Sequence, residues 1–268
     1  MTKRMIFFDI DGTLLDHDKQ IPPSTRDSIR RLQEAGHDVA IATGRAPSGF
    51  EDVRRELNID TYVSLNGQYV VYKGKPVYQN PISLDQLQKL TELAASHDHP
   101  LIYAGSEQMR MSVPQHVHID STWGELKMTI PAYDPEYYLN EPIYQVVLFC
   151  TEEEEEMYIR QFQDQIDFVR WGDVGTDALP SGGSKAEGIK RLITALGVQA
   201  EDVVAFGDYL NDVEMLGYVG HGVAMGNAPD IVKKAARYVT RAVDEDGIQH
   251  GLQMLGLLDG KPELKPIS

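Results

Sequence analysis

The chain has 268 residues and a formal net charge of −16, from 41 acidic and 25 basic side chains. So acidic a chain argues against nucleic acid and anionic membranes as partners, because both carry negative charge. A single cysteine, Cys150, excludes an internal disulfide, and its apolar neighbours predict a buried core position. The four apolar residues after Arg4 are too few for a signal peptide, so we expect a soluble, cytoplasmic protein with no membrane span.

Strand and helix patterns alternate at the start of the chain. Met5–Phe8 is a short apolar run typical of a buried parallel strand, and Val39–Ala42 and Tyr62–Leu65 repeat it. Between these runs, apolar residues recur at helical spacing in Ser24–Ala35 and Ser48–Leu57. This alternation predicts a parallel sheet with helices on its faces.

The pattern changes after the third strand. Asn66-Gly67 and Lys73–Lys75 are turn signals on either side of the alternating run Tyr69–Tyr72. The mixed region that follows is expected to contain a helix at Leu84–Ala95, strands near Leu101–Ala104, Met109–Val113 and Tyr144–Cys150, and a helix that begins after Thr151. Thr151 and Glu154 have the spacing of a capping box.

The strand–helix alternation returns near Ser184. The expected elements are a helix at Lys185–Leu196, a strand at Val203–Phe206, a helix near Asp212–Leu216, a strand at Gly222–Met225, a helix at Pro229–Ala236, a strand at Tyr238–Thr240 and a helix near Ile248–Leu255. The insert between the two alternating stretches is about a hundred residues long, the size of an ordinary domain. The sequence therefore predicts an α/β core formed by residues 1–82 and 181–268, with an inserted α+β domain at 83–180.

The segment Asp9-Ile10-Asp11-Gly12-Thr13-Leu14 places two carboxylates where the first expected strand ends. Ligands of open α/β sheets bind at the carboxyl ends of strands. A side-chain period of two would put both carboxylates on one face, where one could act as nucleophile and the other as proton donor and acceptor. The alternative is an acidic turn that only ends the strand, and the motif alone does not decide between them.

Three further segments follow an expected strand or begin an expected helix. Thr43-Gly44-Arg45 could bring a hydroxyl and an open stretch of backbone to a phosphate. Ser181–Lys185 opens a helix whose N-terminus attracts anions. Gly207–Asp212 adds two carboxylates and an amide. Taken singly, the first segment also fits an ordinary turn, the second a solvated lysine and the third a helix N-cap. Together with Asp9–Leu14, however, the three segments favour a single phosphate-binding site.

The charges of these segments argue for a bound cation. Up to four carboxylates would meet at one place, from Asp9, Asp11, Asp208 and Asp212, and a phosphate ester would add about two more charges. Lys185 alone cannot offset them, and crowded carboxylates without partners are costly. Carboxylate and amide oxygens are ligands that suit Mg²⁺. The sequence therefore predicts Mg²⁺ as a cofactor.

In this order, the four segments resemble the motifs of the haloacid dehalogenase (HAD) superfamily over nearly the whole chain. The insert resembles a class II cap, and Ser64–Gly67, Met225–Ala228 and Asp244–Gly247 resemble the Cof-type phosphatases of subclass IIB. The resemblance implies a Rossmann-like hydrolase core and a cap that closes over the site and contacts the leaving group. It also implies a Mg²⁺-dependent phosphatase of small phosphate monoesters such as sugar phosphates, FMN or pyridoxal phosphate.

The resemblance also implies residue roles. Asp9 would attack phosphorus and form an aspartyl-phosphate, and Asp11 would protonate the leaving alcohol and then activate water. Phosphate would be bound by Ile10, Thr43, Gly44, Lys185 and Asn211. Mg²⁺ would be held by the carboxylates of Asp9 and Asp208 and by the backbone carbonyl of Asp11. Asp212 would either be a direct ligand or contact one of these ligands. Glu187 departs from the small residues that relatives often carry after this lysine.

Several alternatives stay open in the sequence. A sugar-phosphate mutase would return the phosphoryl group to a sugar, and a receiver-like signalling protein would keep a phosphorylated aspartate but is a much shorter chain. A dehalogenase is disfavoured, because it would not need a proton donor at Asp11. A catalytically silent ligand-binding descendant is also disfavoured, because no motif residue is lost. Candidates for contact with substrate in the insert are Tyr103, Arg110, His116, His118 and Trp123. The oligomeric state is not readable.

Overall fold

The computed structural model describes residues 3–125 and 129–259. In these ranges the strands are β1 (Met5–Phe8), β2 (Asp38–Ala42), β3 (Tyr62–Ser64), β4 (Tyr69–Tyr72), β5 (Lys75–Gln79), β6 (Leu101–Ala104), β7 (Met109–Met111), β8 (Ala132–Tyr133), β9 (Gln145–Phe149), β10 (Ile166–Arg170), β11 (Gly175–Pro180), β12 (Val203–Gly207), β13 (His221–Ala224) and β14 (Tyr238–Val239). The α-helices are α1 (Pro23–Glu34), α2 (Glu51–Leu57), α3 (Leu84–Ser96), α4 (Val117–Glu125), α5 (Tyr137–Asn140), α6 (Glu152–Gln161), α7 (Lys185–Leu196), α8 (Val213–Tyr218), α9 (Asp230–Ala235) and α10 (Gly247–Met254).

The chain divides into two compact units. The first unit comprises the residues up to Gly44, Asp52–Tyr78 and the residues from Ser184 onward, and the second comprises Arg45–Glu51 and Gln79–Gly183. The boundaries read from the sequence, at residues 82 and 181, stay a prediction as the limits of a core and its cap. Residues 1–2, 126–128 and 260–268 of those predicted domains lie outside the described residues.

The first unit is built on a sheet of strand order β14-β13-β12-β1-β2-β3-β4-β5. The strands from β14 to β3 pair in parallel, and β4 turns back antiparallel to β3. The strands β1 and β12 lie side by side at its centre, where Phe8 stacks on Phe206 with ring centroids 5.0 Å apart. This arrangement confirms the predicted α/β class with a parallel-sheet core.

Burial of both sheet faces explains why β1 reads as a continuous apolar run rather than an alternating one. All four residues of Met5–Phe8 are buried, as expected for a strand covered by helices on both sides. One face packs against α7 through Ile189, Leu192 and Ile193. Helix α7 begins after Ser184, whose side chain accepts from the backbone N–H of Glu187, so the N-terminal end of this helix is fixed.

The second unit has a largely antiparallel sheet of strand order β10-β11-β9-β6-β7-β8. Helices α3 and α6 cover one face, with Leu90 and Tyr158 in the buried cluster, and α4 packs on the other through Ile119 and Trp123. The capping box predicted at Thr151 is present at the start of α6. An antiparallel sheet with helices is the α+β architecture expected of the insert.

No helix in residues 3–125 and 129–259 is both long and apolar enough to span a membrane.

The single cysteine gives a direct test of the packing of the second unit. Burial raises the pKa of the Cys150 thiol to about 11, and a buried protonated thiol is a poor nucleophile. We expect the native protein to react with a thiol reagent much more slowly than the urea-unfolded protein, as followed by absorbance of the released chromophore. Equal rates for the native and unfolded protein would show that Cys150 is not in the core.

Candidate active site

The sheet of the first unit brings the predicted site residues together. Asp9 follows β1, Thr43 follows β2 and Asp208 follows β12, and these three strands are neighbours in the order β12-β1-β2. All three are parallel, so their carboxyl ends share one edge. The backbone N–H of Asp9 donates to the Phe206 carbonyl at 3.0 Å, which extends the ladder one residue past β1. The sequence motifs therefore meet at one edge of the sheet.

The buried ammonium group of the third motif links the first and fourth motifs. Lys185, the first residue of α7, places its Nζ 2.6 Å from Asp9 Oδ1 and 2.7 Å from Asp212 Oδ1. Its side chain is 1% exposed, and that of Asp212 is 0% exposed. Burial alone would lower the pKa of Lys185, but the carboxylates of Asp212 and Asp9 outweigh it and raise the pKa. Lys185 is therefore a permanent cation inside the site.

Asp212 uses both of its oxygens within the protein. Its Oδ1 accepts from Lys185, and its Oδ2 accepts from the backbone N–H groups of Asp208 at 2.9 Å and Tyr209 at 3.0 Å. These bonds fold the chain after β12 back toward the lysine. They favour Asp212 as a residue that holds Lys185 and the 208–212 loop in place, whether or not it also reaches a cation.

Asp208 is held by residues from two other loops. Thr13 Oγ1 donates to Asp208 Oδ1 at 3.0 Å, and Asn227 Nδ2 donates to Asp208 Oδ2 at 3.1 Å and to the Gly12 carbonyl at 2.9 Å. Gly12 has φ of +76°, and a Cβ there would lie 2.2 Å from Asp208 Oδ2. A glycine is therefore required at this position for conformation and for space.

Asp11 lies apart from the buried carboxylates. Its Oδ1 is 2.7 Å from Lys19 Nζ, and its side chain is 40% exposed. Lys19 lies in a tight turn after Asp16, whose Oδ1 accepts from the backbone N–H groups of Asp18 and Gln20, both at 2.9 Å. This turn carries the lysine back over the Asp9–Leu14 segment. Asp11 thus reaches solvent while keeping a cationic partner.

The residues expected to bind phosphate sit at the same edge. Thr43 is buried, and its backbone N–H donates to the Val63 carbonyl at 2.8 Å. Ile10 has a fully buried side chain, so only its backbone could reach a ligand. A Cβ on Gly44 would lie 3.0 Å from Asn66 Oδ1, and Asn211 Nδ2 donates to the same oxygen at 3.4 Å. The second and fourth motifs therefore meet at Asn66.

The carboxylates fit a divalent cation. Asp9, Asp208 and Asp212 each offer an oxygen within 4.8 Å of the others, an oxygen-only donor set that suits a hard cation. Burial and then Asp212 raise the pKa of Asp208 to about 6. Burial, only partly offset by Lys185, also raises the pKa of Asp9. A cation bound among these oxygens would favour the ionised carboxylates and offset their burial and mutual repulsion. The carboxylate of Asp11 is outside the cluster in the described part of the chain.

Several residues of the site have no role in the sequence interpretation. Lys19, Thr13 and Asn227 contact Asp11 or Asp208, and Asn66 contacts Asn211. Asn227 and Asn66 belong to segments that resemble the Cof-type phosphatases, and this resemblance is the sequence signal that could have identified them as site residues. Nothing in the sequence pairs Lys19 with Asp11, because the contact depends on the turn at 16–20. Glu187 pairs with Lys190 at 3.1 Å, at the helix surface.

The substrate-contact candidates of the second unit differ in their surroundings. Tyr103 is buried and its hydroxyl lies 3.0 Å from Thr91 Oγ1, in the cluster beneath α3 and α6. Trp123 is buried against Phe149. Arg110 lies over the Tyr137 ring at 5.5 Å. His116 and His118 have ring centroids 5.0 Å apart. Tyr103 and Trp123 therefore pack inside the second unit, whereas Arg110 and the two histidines are half-buried.

Comparison with known protein families agrees with this geometry. A family model described as haloacid dehalogenase-like hydrolase matches residues 6–252, a range that contains every residue of the site. The chain belongs to the haloacid dehalogenase-like hydrolases. The resemblance inferred from the four motifs is therefore confirmed.

Individual relatives of this hydrolase point to the same enzyme class. The protein YkrA of Bacillus subtilis is 45% identical over 258 residues, which cover 96% of this chain and 100% of YkrA. The pyridoxal phosphate phosphatase YbhA of Escherichia coli is 31% identical over 255 residues, 89% of this chain and 93% of YbhA. The structure of the subclass IIB sugar phosphatase BT4131 matches with a TM-score of 0.84 and 30% identity, over 96% of this chain and 100% of that one. The chain is therefore a phosphatase of the Cof type, with a Rossmann-like core and a subclass IIB cap.

Replacing Asp212 by asparagine tests its part in holding the loop. An amide has one oxygen where the carboxylate uses two, so Lys185 or the two backbone N–H groups lose an acceptor. We expect Asp212→Asn to lower the free energy of unfolding of the metal-free protein by about 1–3 kcal/mol, measured in urea. Asp85→Asn is the matched control, because Asp85 is 71% exposed and pairs with Lys89. Equal stability of the two variants would contradict the role of Asp212.

The raised pKa of Asp208 predicts how cation binding depends on pH. In the metal-free protein Asp208 gains a proton as the pH falls through about 6, and a cation must displace that proton to bind. Divalent-cation affinity should therefore fall as the pH drops from about 6 to about 4, by about tenfold per pH unit for one displaced proton. Calorimetric titration of the cation into the protein without substrate measures this affinity at each pH. A pH-independent affinity across this range would rule out Asp208 as a ligand.

Proposed function

We propose that this phosphatase hydrolyses small phosphate monoesters with Mg²⁺, through an aspartyl-phosphate formed on Asp9. The observation that carries the proposal is the position of Lys185, whose buried ammonium bridges Asp9 and Asp212 at the carboxyl edge of the sheet. Such a cation favours the ionised form of the nucleophile and attracts the anionic phosphoryl group.

The surroundings of Asp9 suit a nucleophile. Its backbone is fixed by the bond to the Phe206 carbonyl, and its Oδ1 is engaged by Lys185, which leaves Oδ2 as the atom to attack phosphorus. In-line attack needs a substrate held in one orientation. Thr43, Asn211 and the backbone near Gly44 are the groups we assign to the phosphoryl oxygens.

The position and exposure of Asp11 suit a proton shuttle. A general acid must reach both the leaving oxygen and water, and the partly exposed carboxylate of Asp11 lies outside the three-carboxylate cluster. In its protonated form Asp11 would give a proton to the leaving alcohol as the Asp9 aspartyl-phosphate forms. It would then take a proton from the water that hydrolyses this acyl phosphate, so that each cycle restores the starting state.

Mg²⁺ is the cation that we propose for the carboxylate cluster. Asp9 and Asp208 would hold it together with the backbone carbonyl of Asp11, and Asp212 would hold the loop that carries Asp208. The bound cation would neutralise charge on the transferring phosphoryl group. Thr13 and Asn227 would keep Asp208 oriented toward it through their bonds to that carboxylate.

The substrate class is proposed from the relatives. YbhA acts on pyridoxal phosphate and BT4131 is a sugar phosphatase, so we propose pyridoxal phosphate and sugar phosphates as the first esters to examine. FMN is added because the resemblance to the Cof-type phosphatases suggests it. A mutase-like transfer back to a sugar is the second candidate, because the same aspartyl-phosphate would serve it. A receiver-like signalling role is less consistent with a chain that phosphatases match over 89% to 96% of its length. A cytoplasmic location, and no nucleic acid or membrane partner, are part of the proposal.

A phosphate-release screen over such esters tests the proposed reaction. We expect Mg²⁺-dependent release of inorganic phosphate from at least one ester, and a loss of at least about a thousandfold in kcat/KM for Asp9→Asn, because an amide is no nucleophile. Asp38→Asn is the matched control, since Asp38 lies at the opposite end of β2 and pairs with the surface residue Lys3.

Two results would overturn parts of this proposal separately. Full activity of Asp9→Asn would exclude the covalent mechanism. Unchanged activity after thorough chelation would exclude the cation. Phosphate appearing on a second sugar hydroxyl rather than in solution would favour the mutase.

A further inference from the structure

The turn after β3 has an unusual backbone. Leu65, Asn66 and Gly67 have successive φ angles of +52°, +50° and +95°. Side chains other than glycine rarely adopt this left-handed region, and asparagine tolerates it better than leucine does. Runs of such residues persist only where the surrounding structure holds them, and they cluster at functional sites. The function proposed above assigns no role to this turn.

The turn is held between the second and third motifs. The backbone N–H of Asn66 donates to the Thr43 carbonyl at 3.2 Å. Gly67 packs on the first turn of α7, where a Cβ would lie 2.0 Å from the Ser184 carbonyl oxygen. Ser184 directly precedes Lys185. The strained turn therefore sets the distance between the Thr43 strand end and the start of the helix that carries the lysine.

The side chain of Asn66 then reaches the fourth motif. It is 4% exposed, and its Oδ1 accepts from Asn211 Nδ2 at 3.4 Å. Its amide also covers Gly44, where a Cβ would lie 3.0 Å from Oδ1 and 3.1 Å from Nδ2. One buried amide therefore touches the residue after Thr43 and the amide proposed to bind phosphate.

We infer that Asn66 is a positioning residue for phosphate binding, one that orients the Asn211 amide and the Gly44 backbone toward the phosphoryl group. This inference rests on the proposed function, because it takes Thr43, Gly44, Lys185 and Asn211 as the phosphate-binding groups. With one Nδ2 hydrogen of Asn211 donated to Asn66, the other would donate to a phosphoryl oxygen. Asparagine suits the position because it combines tolerance of the left-handed backbone with a neutral amide beside an anion.

Asn66→Gly separates the side chain from the backbone. Glycine adopts the left-handed conformation at no steric cost, so the turn is kept while the amide is lost. We expect KM for the best phosphate ester, and the inhibition constant of inorganic phosphate, to rise about tenfold, the effect of one well-placed hydrogen bond. We expect kcat to change less than KM. A purely structural role would move the unfolding midpoint and leave KM unchanged.

Asn58→Gly is the matched control. Asn58 also has a left-handed backbone, with φ of +51°, but it is exposed at the end of α2. The same substitution in the same conformation should leave KM and phosphate inhibition unchanged. Asn66→Asp is the second variant, because aspartate keeps an acceptor for Asn211 and tolerates the backbone while adding a negative charge. It should fold, and it should bind phosphate more weakly than Asn66→Gly does.

A double-mutant cycle with Asn211→Ala decides whether the two amides act together. If Asn66 works through Asn211, the double variant should raise the phosphate inhibition constant little more than either single variant. Full additivity, or an Asn66→Gly variant that matches Asn58→Gly, would overturn the inference. If Asn66→Gly does not fold, Asn66→Asp provides the test instead. Unchanged phosphate binding by Asn66→Asp would also overturn the inference.

Measuring the binding of inorganic phosphate directly allows the inference about Asn66 to be tested separately from the proposed function. Calorimetry on the Mg²⁺-loaded protein needs no turnover. A wild-type protein that releases no phosphate from any ester would contradict the proposed function alone, while weaker phosphate binding by Asn66→Gly would still support the inference. Active wild type with unchanged phosphate binding in both Asn66 variants would contradict the inference alone.

Discussion

The site depends on the ammonium group of Lys185, buried between the carboxylates of Asp9 and Asp212. A buried charge without a partner costs several kcal/mol, so each of these groups requires the others to be in place. The lysine and Asp9 are 176 residues apart in the chain, and the pairing holds the start of α7 against the ends of β1 and β12. The same contact that connects α7 to the sheet places a cation beside the proposed nucleophile.

Hydrogen bonds among the other site residues hold this arrangement in place. Asp212 binds the lysine with one oxygen and its own loop with the other. Asp208 is held through Thr13 and Asn227, and the strained turn at Asn66 lies against Thr43 and Asn211. Each motif is thus held by a residue from another motif or loop. This explains how segments far apart in sequence can act on one phosphoryl group.

The sequence predicted the first unit well, because its signals are local. Apolar runs such as Met5–Phe8 mark buried parallel strands, and the carboxylates follow at their ends. Prediction was weaker in the insert, where β10, β11 and α4 were not recognised. The residues Ile166–Arg170 mix charged and apolar side chains, and Thr176 and Asp177 interrupt β11 with buried polar groups. Contacts made by turns, such as Lys19 on Asp11 and Asn66 on Asn211, depend on tertiary folding that no local pattern records.

The central claim is that Asp9 carries the phosphoryl group during turnover. The most direct measurement is acid quenching during steady-state hydrolysis, followed by borohydride reduction and peptide mass spectrometry. We expect reduction of the Asp9 side chain to the alcohol in quenched wild-type protein, and no reduction there without substrate. Rapid phosphate release with an unmodified Asp9 peptide at every quench time, from the first turnover onward, would contradict the role of Asp9.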